Sequence, residues 1–198
     1  MSALRLLVTG FGPFEDVEDN PSARIVERLD ADPPDDIELV VRILPVSFRR
    51  SASGLDSALK AMEPNGPDAI LALGLHSSGT SFRVERRATT NLEDGRPDVL
   101  GVESSSIRLP KSEILTMSLD LDALRESLDQ QGVPAAEISE EAGGYVCERL
   151  YFHALKRAQS LGIPAVFLHV PPFEELGLEA QLRSVRQFIS ALARQIGL

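Results

Sequence analysis

Short apolar runs bounded by turn residues recur along this chain, each separated from the next by a longer stretch with apolar residues at helical spacing. Leu4 to Thr9, Ile37 to Leu44, Ala69 to Leu73 and Ala165 to His169 are such runs. A strand that is apolar on both faces must be covered on both, and the usual solution is a parallel sheet with crossover helices on each side. The alternation therefore predicts an α/β fold, with one domain over residues 1–198 and a twisted, mostly parallel sheet flanked by helices on both faces. At 198 residues the chain can bury a sizeable core as one unit.

Local signals fill in the rest. Asn20-Pro21-Ser22 reads as a helix start, with Asn20 as N-cap and proline at the first helical position. Ser47 to Met62 is a second helical stretch, and Leu178 to Ile196 is a terminal one. Between His76 and Ser112 periodic apolar positions are few, apart from an irregular strand around Arg83 to Thr89. An excursion of that length inside a compact domain is usually functional. After it come an edge strand over Glu113 to Leu119, a helix over Asp122 to Gln131 stopped by Gly132, and a strand over Ala135 to Ser139.

The net charge of -10 makes nucleic acid and anionic membrane surfaces poor partners. No run reaches bilayer-spanning length, and the first residues show no basic leader or cleavage-type segment, so a cytoplasmic protein is expected. The single cysteine cannot form an intramolecular disulfide, and no Cys/His cluster has zinc spacing. Neither a metal nor an organic cofactor is expected.

That cysteine, Cys147, follows Ala142-Gly143-Gly144-Tyr145-Val146, a small-residue turn that opens onto an amphipathic helix. A free cysteine is most often a small buried hydrophobe. Two glycines before a helix, however, let a ligand approach the main chain, and a helix N-terminus favours a thiolate. Cys147, Leu150, Tyr151, Ala154, Leu155 and Ala158 form one stripe, with Cys147 at its upper edge. The following strand ends on His169, a candidate base. In open α/β sheets, sites form beyond the carboxyl ends of the strands, where Phe11, Gly74, the turn before Cys147 and His169 should gather. A carboxylate that holds the imidazole would complete the set, and Glu85 in the excursion is one candidate among 30 acidic residues.

The chain resembles the pyroglutamyl peptidase I family, cysteine exopeptidases that remove an N-terminal pyroglutamate. The resemblance runs through Val8-Thr9-Gly10-Phe11-Gly12-Pro13-Phe14, Asn20-Pro21-Ser22, Leu44-Pro45-Val46-Ser47-Phe48, Leu73-Gly74, Glu85-Arg86, Tyr145-Val146-Cys147 and Leu168-His169-Val170-Pro171. It implies Cys147 as nucleophile, His169 as general base and acid, and Glu85 as the orienting carboxylate. It also implies substrate-binding positions at Phe11, Phe14, Asn20, Leu75, Tyr145, Val146 and Arg96, with the two phenylalanines forming a slot for the flat lactam. A peptide with a blocked N-terminus is the implied partner, and a homo-oligomer the implied assembly.

Three positions depart from the family pattern. Leu75 stands where a glutamine is usual, which relaxes or redirects the choice of N-terminal group. Glu148 replaces the asparagine after the cysteine, and an inward-pointing carboxylate there would disfavour a thiolate. The stretch Thr89 to Pro97 is altered, with Arg96 the nearest match for the family's arginine. Two alternatives therefore stay open: a homologue with changed N-terminal-group specificity, and an inactive protein that binds a peptide or metabolite. His76, in the loop after Leu75, reads as a solvent-exposed histidine, with a place lining the site of a changed specificity as the alternative, and His153 as a surface or interface residue off the Cys147 face.

Overall fold

The computed structural model describes residues 4–93, 95–129 and 132–197. Eight strands and five α-helices make up one α/β domain: β1 (Leu4–Phe11), α1 (Pro21–Ala31), β2 (Ile37–Leu44), α2 (Arg50–Ala61), β3 (Ala69–Leu75), β4 (Arg83–Glu85), β5 (Arg87–Thr89), β6 (Ile114–Thr116), α3 (Leu121–Glu126), β7 (Glu137–Ser139), α4 (Val146–Leu161), β8 (Ala165–Val170) and α5 (Leu178–Gln195). The main sheet has the order β2-β1-β3-β8-β4-β7. Its first four strands are mutually parallel, whereas β4 runs antiparallel to β8 and carries β7 parallel to itself. Helices α1, α3 and α5 pack on one face of the sheet and α2 and α4 on the other, as the doubly apolar strands require.

Strands β1, β3 and β8 are buried almost throughout, and their Leu, Val and Ile residues join Ile25, Val26, Leu55, Tyr151, Phe167 and Phe188 in one core. The chain passes from β1 outward to β2, then back across β1 to β3. Loops leaving the carboxyl ends of β1 and β3 therefore diverge, and the crevice between them is where a ligand site forms in such sheets.

Several expected boundaries move. The stretch expected as an edge strand over Glu113 to Leu119 contracts to β6 and pairs only with β5, in a separate two-stranded sheet. The chain leaves the main sheet at Arg86, whose N–H donates to Ser139 O at 2.7 Å while its carbonyl accepts from Met117 N. Helix α2 starts later than expected because Ser47 accepts from the N–H groups of Arg50 and Ser51 ahead of it. The helix expected to run to Gln131 ends at Glu126, where Leu128 and Asp129 turn back onto Arg125 and Glu126. Gln130 and Gln131 lie outside the described residues.

Asn20 caps α1 as expected: its Oδ1 accepts from Ser22 N at 3.0 Å, and its amide donates to Gly12 O at 3.0 Å. The helix start is pressed against β1 so closely that a Cβ on Gly10 would lie 2.5 Å from Ser22 O. Gly10→Ala should therefore push α1 off the sheet and destabilise the fold by about 1–3 kcal/mol. Chemical denaturation checks this, and an unchanged midpoint would contradict the packing.

Candidate active site

The site is assembled by four segments at the carboxyl edge of the parallel strands. Cys147 is the second residue of α4, and the turn before it needs glycine twice, with φ of 88° at Gly143 and 67° at Gly144. At Gly74 in β3 a Cβ would come within 3.0 Å of Cys147 Sγ and 2.8 Å of the Phe167 ring. The missing side chain lets the sulfur settle over the strand beside His169, which pairs with Gly74 in register.

The antiparallel insertion of β4 supplies the third group. Arg83 lies opposite His169 and Glu85 opposite Phe167. Directly opposed and diagonal residues share a face in such a ladder, so Glu85 reaches diagonally to His169. Its Oε1 lies 2.7 Å from Nδ1 of the imidazole, and both side chains are buried, at 1% and 6% exposure for the residues. Tyr151 in α4 fixes the same strand by donating its hydroxyl to Glu85 O at 2.9 Å.

Burial alone would lower the pKa of His169. Hydrogen bonds to Cys147 and Glu85, together with their negative charge, outweigh it and raise the value to about 9. The site therefore holds a proton on an imidazole between the cysteine sulfur and a carboxylate. That is the protonation pattern of a nucleophile paired with its general acid.

A cleft of about 170 Å³ opens onto these groups. Phe11, Phe14, Asn20, Leu75, Tyr145 and Arg96 all line it, together with Val46, His76, Arg83 and Glu141. Asn20 has its amide committed to Gly12 and Ser22, so it shapes the Phe11–Phe14 turn. Arg96 stacks 4.2 Å from the Tyr145 ring centroid and pairs with both carboxylate oxygens of Glu15 at 3.1 Å. Tyr145 donates its hydroxyl to Pro97 O at 2.8 Å, which pins the excursion to the cysteine turn.

One expected placement is corrected, that of His76, and Val146 offers the cleft no side chain. Val146 is fully buried and does not line the cleft, because one residue before the cysteine it shares the core-facing side of α4 with Leu150. His76 is not a free loop residue: it lines the cleft, its ring lies 6.0 Å from that of His169, and its Nε2 meets Arg83 Nη1 at 3.3 Å. Burial first, then the charges of Arg83 and His169, lower its pKa. His153 joins two helices by pairing with Asp56 of α2 at 3.0 Å.

Glu148 points inward, as its position allows, but its oxygens accept from Thr89 N and, at 3.4 Å, from Gly144 N. It staples the cysteine turn to β5. Burial is the main cause of its raised pKa, opposed by these backbone bonds. From the other side, Glu93 N donates to Gly144 O at 2.7 Å. Asp98 holds the excursion by accepting from Leu100, Val102 and Phe48 N–H groups at 2.9, 3.0 and 2.9 Å. Those bonds lower its pKa despite burial, which acts to raise it. The turn former Asp98-Val99-Leu100-Gly101 was the available signal for this staple. Among the described residues no helix is long and apolar enough to cross a membrane, and no group of three or more His, Cys, Asp or Glu side chains is placed to hold a metal ion.

The sequence profile of the pyroglutamyl peptidase family matches residues 4–185. The pyrrolidone-carboxylate peptidase of Cupriavidus pinatubonensis is 30% identical over 93% of this chain and 91% of its own, and that of Pyrococcus furiosus is 30% identical over 87% and 83%. Among solved structures, the pyrrolidone carboxyl peptidase of Fervidobacterium islandicum superposes with a TM-score of 0.84 at 30% identity, covering 96% of this chain and 99% of that one. Pyroglutamyl peptidase I of Bacillus amyloliquefaciens gives 0.83 at 26%, covering 96% and 97%.

The imidazole's proton is directly measurable, because the chain has only three histidines. NMR titration of the ring resonances should find His169 titrating near pH 9, and at lower pH in Glu85→Gln, where the neutral amide no longer favours the charged ring. An unshifted His169 titration in that variant would contradict the assigned partnership.

Proposed function

The chain belongs to the pyroglutamyl peptidase family, and from that premise we propose that it hydrolyses the amide bond after an N-terminal pyroglutamyl residue by thiolate attack. The single observation that carries the mechanism is the buried contact of 2.7 Å between Glu85 and a His169 that also engages Cys147. Cys147 Sγ adds to the pyroglutamyl carbonyl carbon, and the electron pair moves onto the oxygen. Main-chain N–H groups in the first turn of α4 have no acceptor within the helix and are the natural donors to that oxyanion. As the tetrahedral adduct collapses, the C–N bond breaks and His169 gives its proton to the departing amine, leaving a thioester on Cys147. A water then loses a proton to His169 and attacks the thioester, which frees pyroglutamate and returns the starting protonation state. Glu85 remains ionised and holds the ring throughout.

Pyroglutamate is a neutral, flat lactam without an ammonium group. Phe11, Phe14, Val46 and Leu75 offer it an apolar slot in a cleft sized for a small ring. Leu75 presents no hydrogen-bonding group, so lactam recognition falls to the main chain and the slot's shape. The catalytic thiol needs a reducing surrounding, which favours the cytoplasm.

Purified under reducing conditions, the protein should release the amine from a pyroglutamyl amide, and Cys147→Ser should lower kcat by about a thousandfold or more. No turnover of pyroglutamyl amides, with unhindered cleavage of another blocked N-terminal group, would redirect the substrate assignment. Leu75→Gln should raise kcat/KM for the pyroglutamyl amide, since it restores a polar contact the lactam can use. An unchanged or lower value would count against the slot as drawn.

A further inference from the structure

A second cavity, of about 320 Å³, lies between the loop before α2, the segment around Ser106 and the start of α4. Its walls are Phe48, Arg49, Ser106, Ile107, Arg108 and Arg149. Three arginines thus line one recess with no carboxylate among its walls, in a protein whose net charge is -10. Several other arginines are tied to acids: Arg5 to Glu38, Arg28 to Glu179, Arg83 to Glu137, Arg96 to Glu15 and Arg186 to Asp32. Among the described residues none of Arg49, Arg108 and Arg149 forms an ion pair.

Arg149 is the most telling of the three. Its Nε is buried and has no hydrogen-bond partner, and burial is the first cause of its lowered pKa, only partly offset by the charge of Asp56. That aspartate is already engaged by His153 at 3.0 Å and Arg157 at 3.1 Å. A buried N–H without an acceptor is costly, and no protein group accepts from Arg149 Nε. Arg49 is aimed by its Nη2, which donates to Ser106 O at 3.3 Å and leaves its other N–H groups for a ligand. The recess is separate from the catalytic cleft: the two share no lining residue, and Phe48, packed edge-on against Tyr145 at 5.3 Å, stands between them.

We propose that Arg49, Arg108 and Arg149 form a binding site for a small, multiply charged oxyanion of the phosphate class. Guanidinium forks fit a tetrahedral oxyanion by paired N–H···O bonds from several sides. A recess of about 320 Å³ suits a small ligand better than the flat surface of a second protein, and free phosphate and a phosphorylated metabolite present the same chemistry to it.

Inorganic phosphate is the first probe, titrated into the full-length protein at constant ionic strength set with chloride and followed by calorimetry. Saturable binding with about one site is expected in the millimolar range or tighter. Arg149→Gln should weaken it by about tenfold, and Arg108→Gln, an exposed change, should weaken it while leaving pyroglutamyl amide turnover unchanged. A phosphomonoester that competes with phosphate would identify the wider ligand class. The proposal is overturned if no saturable phosphate binding appears up to about 10 mM, or if binding survives both substitutions. It is equally overturned if binding is lost on alkylating Cys147, which would put the anion in the catalytic cleft. A change of oligomeric mass in the variants without any phosphate affinity would also overturn it and make this face an interface between copies.

Discussion

The hydrogen bond of 2.7 Å between Glu85 and His169 is the contact on which the functional geometry turns. It follows from the pairing of β4 with β8, in which Glu85 opposes Phe167 and His169 lies two residues further along the same face. Burial makes the bond consequential, since a charged imidazole away from water needs a compensating anion. The carboxylate on β4 provides that compensation.

A second constraint is the way the cysteine turn is held. Gly143 and Gly144 adopt positive φ angles that other residues avoid, and a turn of that kind keeps its shape only when its surroundings enforce it. Glu148 grips it from inside, Glu93 from outside, and Tyr145 ties it through Pro97 to the excursion that Asp98 anchors. The excursion is therefore the support of the nucleophile's turn as well as a wall of the cleft. Replacement of the usual asparagine by Glu148 is absorbed as a backbone staple, because the carboxylate spends its charge on N–H groups.

Much of this was legible in the sequence where the physics is local. Doubly apolar strands, the Asn20 cap and the Cys147 stripe depend on neighbouring residues, and they stand where the periodicity put them, with Ile37 to Leu44 matched at both ends. The long-range features were not legible. That β5 and β6 would leave the main sheet depends on Arg86 bridging two sheets, and no pattern in Arg83 to Thr89 encodes that partner choice. The exposure of His76 and the burial of the Val146 side chain were not legible for related reasons. Neighbours of a motif residue on a helix point in other directions, and a loop histidine becomes a cleft residue once β4 brings Arg83 against it. Glu85 was one acid among many until its strand partner was known.

The central claim is that Cys147, with its proton partner His169 and the carboxylate of Glu85, forms a covalent acyl intermediate. Rapid quenching of the protein with an activated pyroglutamyl ester, followed by peptide mass spectrometry, tests it most directly, since acylation by such an ester outpaces hydrolysis of the thioester. One pyroglutamyl group on the peptide that carries Cys147 is the predicted result. Turnover of the ester with the label on another residue, or undiminished turnover after Cys147 has been replaced, would contradict the account.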